Sequence, residues 1–177
     1  MLRKPCLLLV FLLLCFGVLA PPGQAQERGT IQALATVISS MSVVGTNNLL
    51  FEIVTPGVNK SVDKATVGLA GEWEINGTSN AEVTVEFTLP DSLITIADSL
   101  SFMPISFSGT DVSYDDESGG GQASPAGVLN PWVLSTLNIG PGATLMIWIG
   151  GTVLPTISQT GGDYAADIML TVAYTGN

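Results

Sequence analysis

Residues 164–174 read YAADIMLTVAY, and apolar side chains occupy every second position of this stretch. Successive side chains of an extended backbone point to opposite faces, so a period of two gives one face an apolar stripe and leaves the other small or polar. The stripe consists of Tyr164, Ala166, Ile168, Leu170, Val172 and Tyr174. We therefore predict one long amphipathic β-strand here, which either completes a sheet or pairs with another chain.

The same alternation recurs along the chain, between turns rich in Gly, Pro and Asn. The further segments of this kind are 31–37, 49–53, 73–75, 83–89 and 145–149, the last of which is apolar on both faces. Residues 91–103 fit either a strand pair or one short helical turn. Many short strands without a long helical period predict an all-β chain, a single immunoglobulin-like antiparallel β-sandwich.

The first residues have the features of a secretory signal peptide. Arg3 and Lys4 precede an apolar run of about 14 residues, which is shorter than the roughly 18 or more of a membrane-spanning helix. Two prolines and a small-residue stretch ending at Ala25 follow it. We expect a signal peptide over residues 1–25 and a sandwich domain over 26–177, exported to the periplasm, the cell surface or the medium, with no membrane span once the signal is removed.

The charge balance excludes some partners. After removal of the signal, the 15 acidic residues are accompanied by only three basic ones, Arg28, Lys60 and Lys64, for a net charge of −12. Nucleic-acid and anionic-lipid surfaces require clustered Lys and Arg. We expect neither partner, and the acidity is typical of a soluble exported protein.

The residue inventory also limits the chemistry. The chain has no histidine, and both cysteines, Cys6 and Cys15, lie in the predicted signal. Ser-His-Asp and Cys-His catalysis, and zinc sites built on those ligands, are therefore excluded from the processed chain. A carboxylate-only hydrolase remains as a third hypothesis. A Ser-Lys pair at Lys60-Ser61 or at Lys64 has polar neighbours typical of a solvated turn, whereas a lysine base requires burial. We expect no enzyme activity and no cofactor.

Residues 115–127 read DDESGGGQASPAG and predict a polar, mobile loop. Asp115, Asp116 and Glu117 are weak candidates for calcium ligands, because calcium prefers six to eight oxygens and no EF-hand spacing is present. Tyr114 and Trp132 flank the loop and could stack on a sugar ring, although aromatic residues at loop edges also pack over the end of a sandwich. A binding module for carbohydrate or calcium is thus one hypothesis.

Ordered residues in both halves of the chain resemble a known family. These residues are Leu49-Leu50-Phe51, Phe87-Thr88-Leu89-Pro90, Ile149-Gly150-Gly151-Thr152-Val153, Gln159, Gly162-Asp163-Tyr164, Thr171-Val172-Ala173-Tyr174 and Asn177. Their order is similar to that of the bacterial secreted family catalogued as domain of unknown function 4402. Glu52 departs from it, since the family commonly has glycine after the early phenylalanine. The resemblance implies a secreted immunoglobulin-like sandwich without an established activity.

A looser resemblance links residues 162–174 to pilus subunits assembled by a chaperone and usher, which end in a Gly-initiated alternating strand with a near-terminal tyrosine. Those subunits usually carry a disulfide, which the processed chain cannot form.

Strand pairing between chains is the leading hypothesis. An exposed strand edge presents unpaired N–H and C=O groups that another chain can pair with. One candidate segment follows the predicted cleavage site and carries the stripe Ile31, Ala33, Ala35 and Val37; the other carries Tyr164, Ile168, Leu170, Val172 and Tyr174. The partner would be a copy of the same chain or a related surface subunit. The alternative is that residues 30–38 form the first strand of a self-complete monomer.

Overall fold

The computed structural model describes residue 32, residues 40–97 and residues 99–176. The chain divides into two units, Met1–Val37 and Ile38–Asn177. Only Gln32 of the first unit is described. The predicted signal peptide and the stripe formed by Ile31, Ala33, Ala35 and Val37 lie outside the described residues and remain predictions.

The second unit is built from strands, and its described residues contain no helix. The strands are β1 Ser42–Asn47, β2 Lys60–Val62, β3 Gly71–Asn76, β4 Glu82–Thr88, β5 Ser92–Thr95, β6 Phe102–Ser106, β7 Val112–Asp115, β8 Gly127–Leu129, β9 Ser135–Asn138, β10 Thr144–Ile149, β11 Gly151–Val153, β12 Tyr164–Ala165 and β13 Met169–Tyr174. They form three sheets, with strand orders β1-β3-β10-β7-β8, β12-β5-β6-β11-β2 and β13-β4-β9. Every pairing is antiparallel.

All three sheets contribute to one core. Alternate residues of β3, β4, β6 and β10 are buried in it, as the period of two requires. The largest fully buried side chains include Ile75, Val83, Val85, Leu145, Ile147 and Ile149. The prediction of an all-β antiparallel sandwich is confirmed.

Strand β10 lies in the middle of its sheet, between β3 and β7. Its inward residues are fully buried, and Trp148 on the opposite face is buried as well. This explains why the segment is apolar on both faces. Gly150 alone separates β10 from β11, so the chain passes from one sheet to another within one residue.

Residues 91–103 resolve into the strand pair β5 and β6, with Leu93 opposite Met103 and Ile94 opposite Phe102. Leu93 and Met103 pack in or against the core, whereas Ile94 and Phe102 are exposed. Of the two alternatives, the strand pair is confirmed.

The prediction of one continuous strand over 164–174 is wrong. The stretch forms two strands in different sheets: β12 pairs with β5, and β13 pairs with β4. Between the registers Ala165↔Ile94 and Met169↔Thr88, three residues of this stretch lie opposite five of its partner. Pro90, within those five, has no N–H to donate to a ladder. The ladder is therefore interrupted, although the alternating burial of β13 is retained.

The strand predicted over 49–53 is also absent, since none of these residues is in a strand. Phe51 is buried, Glu52 has a φ of 52°, and the side chain of Ile53 is 89% exposed. A residue in the left-handed region interrupts the extended conformation that alternation assumes. In the described part of the chain, no helix is long and apolar enough to cross a membrane.

Candidate functional site

A groove of about 910 Å³ runs from the surface of the second unit into its core. Core residues from β5, β6, β10 and β11 line its floor: Leu93, Met103, Ile105, Ile149 and Val153. Its sides are lined by residues 47–54 and 159–168. The groove thus reaches residues of the sandwich core, of which Ile149 and Val153 are fully buried.

One side of the groove is an irregular segment, residues 51–54. Within the described chain, no backbone-to-backbone hydrogen bond joins these four residues to another residue. The segment is instead held by side chains. Phe51 is buried in the core, and the Lys60 ammonium donates a hydrogen bond of 3.1 Å to the Ile53 carbonyl oxygen. The same ammonium lies 3.6 Å from Oε2 of Glu52.

Glu52 has a φ of 52°, which is in the left-handed region that glycine adopts most readily. The backbone therefore bends at this position although the residue carries a side chain.

The other side of the groove includes residues 166–168, between β12 and β13. These residues also have no backbone-to-backbone hydrogen bond to the rest of the described chain. The preceding turn is well ordered by side chains: Nε2 of Gln159 donates to the Tyr164 hydroxyl at 2.7 Å, and this hydroxyl donates to the Thr160 carbonyl oxygen at 2.8 Å. Two stretches with unpaired backbone groups thus border the same groove, whose floor is apolar.

The residues of the C-terminal stripe are used within the domain. Tyr164 lies in β12 and Ile168 in the connection, while Leu170, Val172 and Tyr174 lie in β13. All five pack against the core. Strand β13 is the outermost strand of its three-stranded sheet in the described part of the chain. The Tyr174 hydroxyl accepts a hydrogen bond of 2.7 Å from the N–H of Thr78, which ties β13 to the turn between β3 and β4.

The carboxylates of the acidic loop between β7 and β8 all accept hydrogen bonds, Asp115 and Asp116 from the loop itself and Glu117 from the turn between β9 and β10. Asp115 is 6% exposed, and its two carboxylate oxygens accept hydrogen bonds from the N–H groups of Gly119 and Gly121. Asp116 accepts from Ser118, and Glu117 accepts from the N–H of Gly142. Among the described residues, no group of three Asp, Glu, His or Cys side chains is placed to hold a metal ion. Calcium binding stays a prediction.

Trp132 is 58% exposed although its ring is held in place. Its indole N–H donates to the Phe107 carbonyl oxygen at 3.1 Å, and its backbone N–H donates to Oδ1 of Asn130 at 3.0 Å. Val133 and Leu134, which follow it, are exposed too. The structure thus presents a fixed indole face at the surface, while Tyr114 is only half-buried in β7.

The prediction of a turn at Lys60-Ser61 is wrong, because both residues lie in strand β2, although Ser61 is exposed there and Lys60 is half-buried. The Ser61 hydroxyl is 2.7 Å from the Thr152 hydroxyl, across the pairing of β2 with β11. Lys64 does lie in a turn, and its ammonium donates to the Thr110 carbonyl oxygen at 2.7 Å.

Comparisons with known proteins give limited information. No protein-family model and no curated protein matches the chain. Membership of family 4402 is therefore not shown. A solved chain described as part of a chaperone–tip adhesin complex vital for activation of CFA/I fimbriae biogenesis is similar at 10% identity with a TM-score of 0.42. The alignment covers 78% of this chain and 42% of that one, less than half of its length. A similarity of this size identifies neither function nor partner.

The sequence interpretation missed the groove and the role of Lys60. One feature pointed to the groove. Pro90 lacks the N–H that a continuous partner strand of residues 164–174 would donate. The position of Lys60 has no such sequence feature, because the residue that it holds is defined only by folding.

Proposed function

We propose that this chain is an exported structural protein without enzymatic activity, which associates with other chains by accepting a β-strand in the groove. The observation that carries the proposal is the combination of an apolar floor with two bordering stretches, 51–54 and 166–168, that have unpaired backbone groups. An extended segment placed there would bury apolar side chains and pair its own N–H and C=O groups. This is the mode of binding called strand addition.

The segment that carries Ile31, Ala33, Ala35 and Val37 on a second copy is the proposed donor. Its alternation matches a groove with one apolar face, and burial of each of its larger side chains contributes roughly 1.5–3 kcal/mol before ordering costs. Seven extended residues span roughly 20 Å, and none of residues 29–37 is charged. The lack of histidine and of cysteine beyond residue 15 supports a structural rather than a catalytic role.

Deletion of residues 26–38 tests the proposal. The processed protein and the deleted form are compared by light scattering, with circular dichroism to verify that the sheet signal is kept. We expect oligomers of the parent and a folded monomer of the deleted form. A parent that is monomeric at all concentrations would contradict strand exchange.

The fixed, exposed indole of Trp132 favours a second candidate function, a binding module for carbohydrate. Sugar rings stack on indole faces, and this indole is oriented by the hydrogen bond from its ring N–H to the Phe107 carbonyl oxygen. Titration of a glycan panel against the parent and Trp132→Ala tests it, and calcium is titrated in parallel against Asp116→Ala. Absence of any response in the parent protein would remove this candidate.

A further inference from the structure

The groove has an acidic rim, which we define as Asp163 and Asp167. Both line the groove and both are exposed. Glu52 lies on the opposite side, and no lysine or arginine is among the described residues that line the groove. An extended segment bound in this groove would therefore experience a negative potential along at least one side.

The two described cations do not neutralise this rim. The Lys60 ammonium contacts Glu52 and the Ile53 carbonyl oxygen, and the Lys64 ammonium is bonded to the Thr110 carbonyl oxygen. Within residues 40–97 and 99–176, neither Asp163 nor Asp167 has an ion-pair partner. A positive charge for the rim must come from elsewhere.

Arg28 is the third basic residue of the processed chain and its only arginine. It lies three residues before Ile31, the start of the proposed donor stripe, which corresponds to about 10 Å in an extended backbone. A guanidinium is suited to this task, since it is always charged and binds carboxylates in a two-pronged arrangement.

We infer that the occupant of the groove is residues 28–37 of a second copy, with Arg28 paired to the acidic rim. The inference rests on the proposed function and adds a charged anchor to the apolar stripe. It explains how a chain with a net charge of −12 recognises another copy of itself: Arg28 of the donor brings a positive charge to two carboxylates that have no ion-pair partner among the described residues.

Peptides of residues 26–39 test the inference as competitors of assembly by the processed full-length protein, with mean mass read by light scattering. The parent peptide should lower the mass by occupying the groove. A peptide with Arg28→Glu should give the same decrease in mass at low salt only at about threefold to tenfold higher concentration, in line with an exposed ion pair turned into a repulsion. The difference should vanish at about 0.5 M salt, where the Debye length is only about 4 Å.

Two controls separate position from net charge. A peptide with Glu27→Arg and Arg28→Glu keeps the composition but moves the cation to the other side of an extended strand, so it should be as weak as the Arg28→Glu peptide. Conversely, a protein with Asp163→Lys and Asp167→Lys should bind the Arg28→Glu peptide better than the parent peptide. A swapped peptide as potent as the parent would overturn the inference.

The failure of the inference and that of the proposed function give different results. If no peptide changes the mass of an assembling protein, strand acceptance in the groove is wrong. A different result would contradict only the Arg28 anchor. In that case the parent peptide lowers the mass, a peptide with Ile31→Asp and Val37→Asp does not, and the Arg28→Glu peptide is as effective as the parent peptide at low salt.

Discussion

The ammonium of Lys60 in β2 donates a hydrogen bond of 3.1 Å to the backbone carbonyl oxygen of Ile53. This contact crosses from a sheet strand to a segment that has no backbone-to-backbone hydrogen bond within the described chain. A side chain therefore restrains one side of the groove where a strand ladder would normally do so.

Replacement of Lys60 by methionine should loosen residues 51–54. Methionine keeps the apolar stem but removes the charge and the donor. We expect faster hydrogen exchange in a peptide covering 49–58, and a loss of unfolding free energy below about 1 kcal/mol, because the ion pair with Glu52 is exposed. Lys64→Met is the matched control, since its ammonium bonds to Thr110 instead. Unchanged exchange in Lys60→Met would show that Phe51 alone holds the segment.

Replacement of Ala166 by proline should weaken assembly and spare the fold. Ala166 is exposed and has no backbone-to-backbone hydrogen bond within the described chain, so loss of its N–H breaks no backbone hydrogen bond of the described fold, and we expect a small change in unfolding free energy. The carbonyl oxygen of an incoming strand would then lack the N–H of residue 166 as a hydrogen-bond donor. Light scattering and urea unfolding measure the two effects, and Ala166→Ser, which keeps the N–H, is the control. A proline variant that unfolds easily would mean that residue 166 has a structural role.

Replacement of Tyr174 by phenylalanine should destabilise the domain by about 1–2 kcal/mol, because the N–H of Thr78 loses the oxygen to which it donates at 2.7 Å. Urea unfolding followed by tryptophan fluorescence gives the value. Tyr114→Phe serves as the control and should change the unfolding free energy little. Equal losses for the two variants would contradict a specific role of the Tyr174 hydroxyl.

Replacement of Gly150 by alanine should strongly destabilise the domain. A Cβ there would overlap the Val62 carbonyl oxygen and the backbone nitrogen of Lys64. Backbone atoms cannot rotate away as a side chain does, so we expect a loss of at least about 2 kcal/mol or failure to fold. Gly161→Ala, whose Cβ would meet nothing within 4 Å, should be nearly neutral. A stable Gly150→Ala protein would mean that β10 and β11 can separate from β2 at low cost.

Replacement of Asp115 by alanine should destabilise the loop between β7 and β8, by about 1–3 kcal/mol, since the N–H groups of Gly119 and Gly121 lose their acceptor. The loss should be equal in EDTA and in millimolar calcium, as measured by urea unfolding. Asp116→Ala is the control and should reduce the unfolding free energy less, because the Asp116 carboxylate bonds to a nearby exposed serine. Stabilisation of the parent by calcium that is absent from Asp115→Ala would revive the metal-site hypothesis.

Alternation of apolar residues was a reliable guide where a strand has a continuous neighbour. Residues 83–88 and 145–149 lie in strands with the predicted faces buried, because each strand has a neighbour on both edges: β13 and β9 for the first, β3 and β7 for the second. The same pattern failed at 49–53 and at 166–168. There the outcome depended on a left-handed Glu52 and on an interruption in the partner strand, both of which are set by distant parts of the chain.

The sequence by itself determined the all-β class, the strongly acidic charge and the absence of histidine, since these follow from residue identity and from a period of two. Only the tertiary structure decided where the sandwich opens, which backbone stretches are unpaired, and that Asp115 serves its own loop. The physical reason is that alternation is a local property of an extended backbone, whereas a groove exists only where segments far apart in sequence fail to close over a shared core.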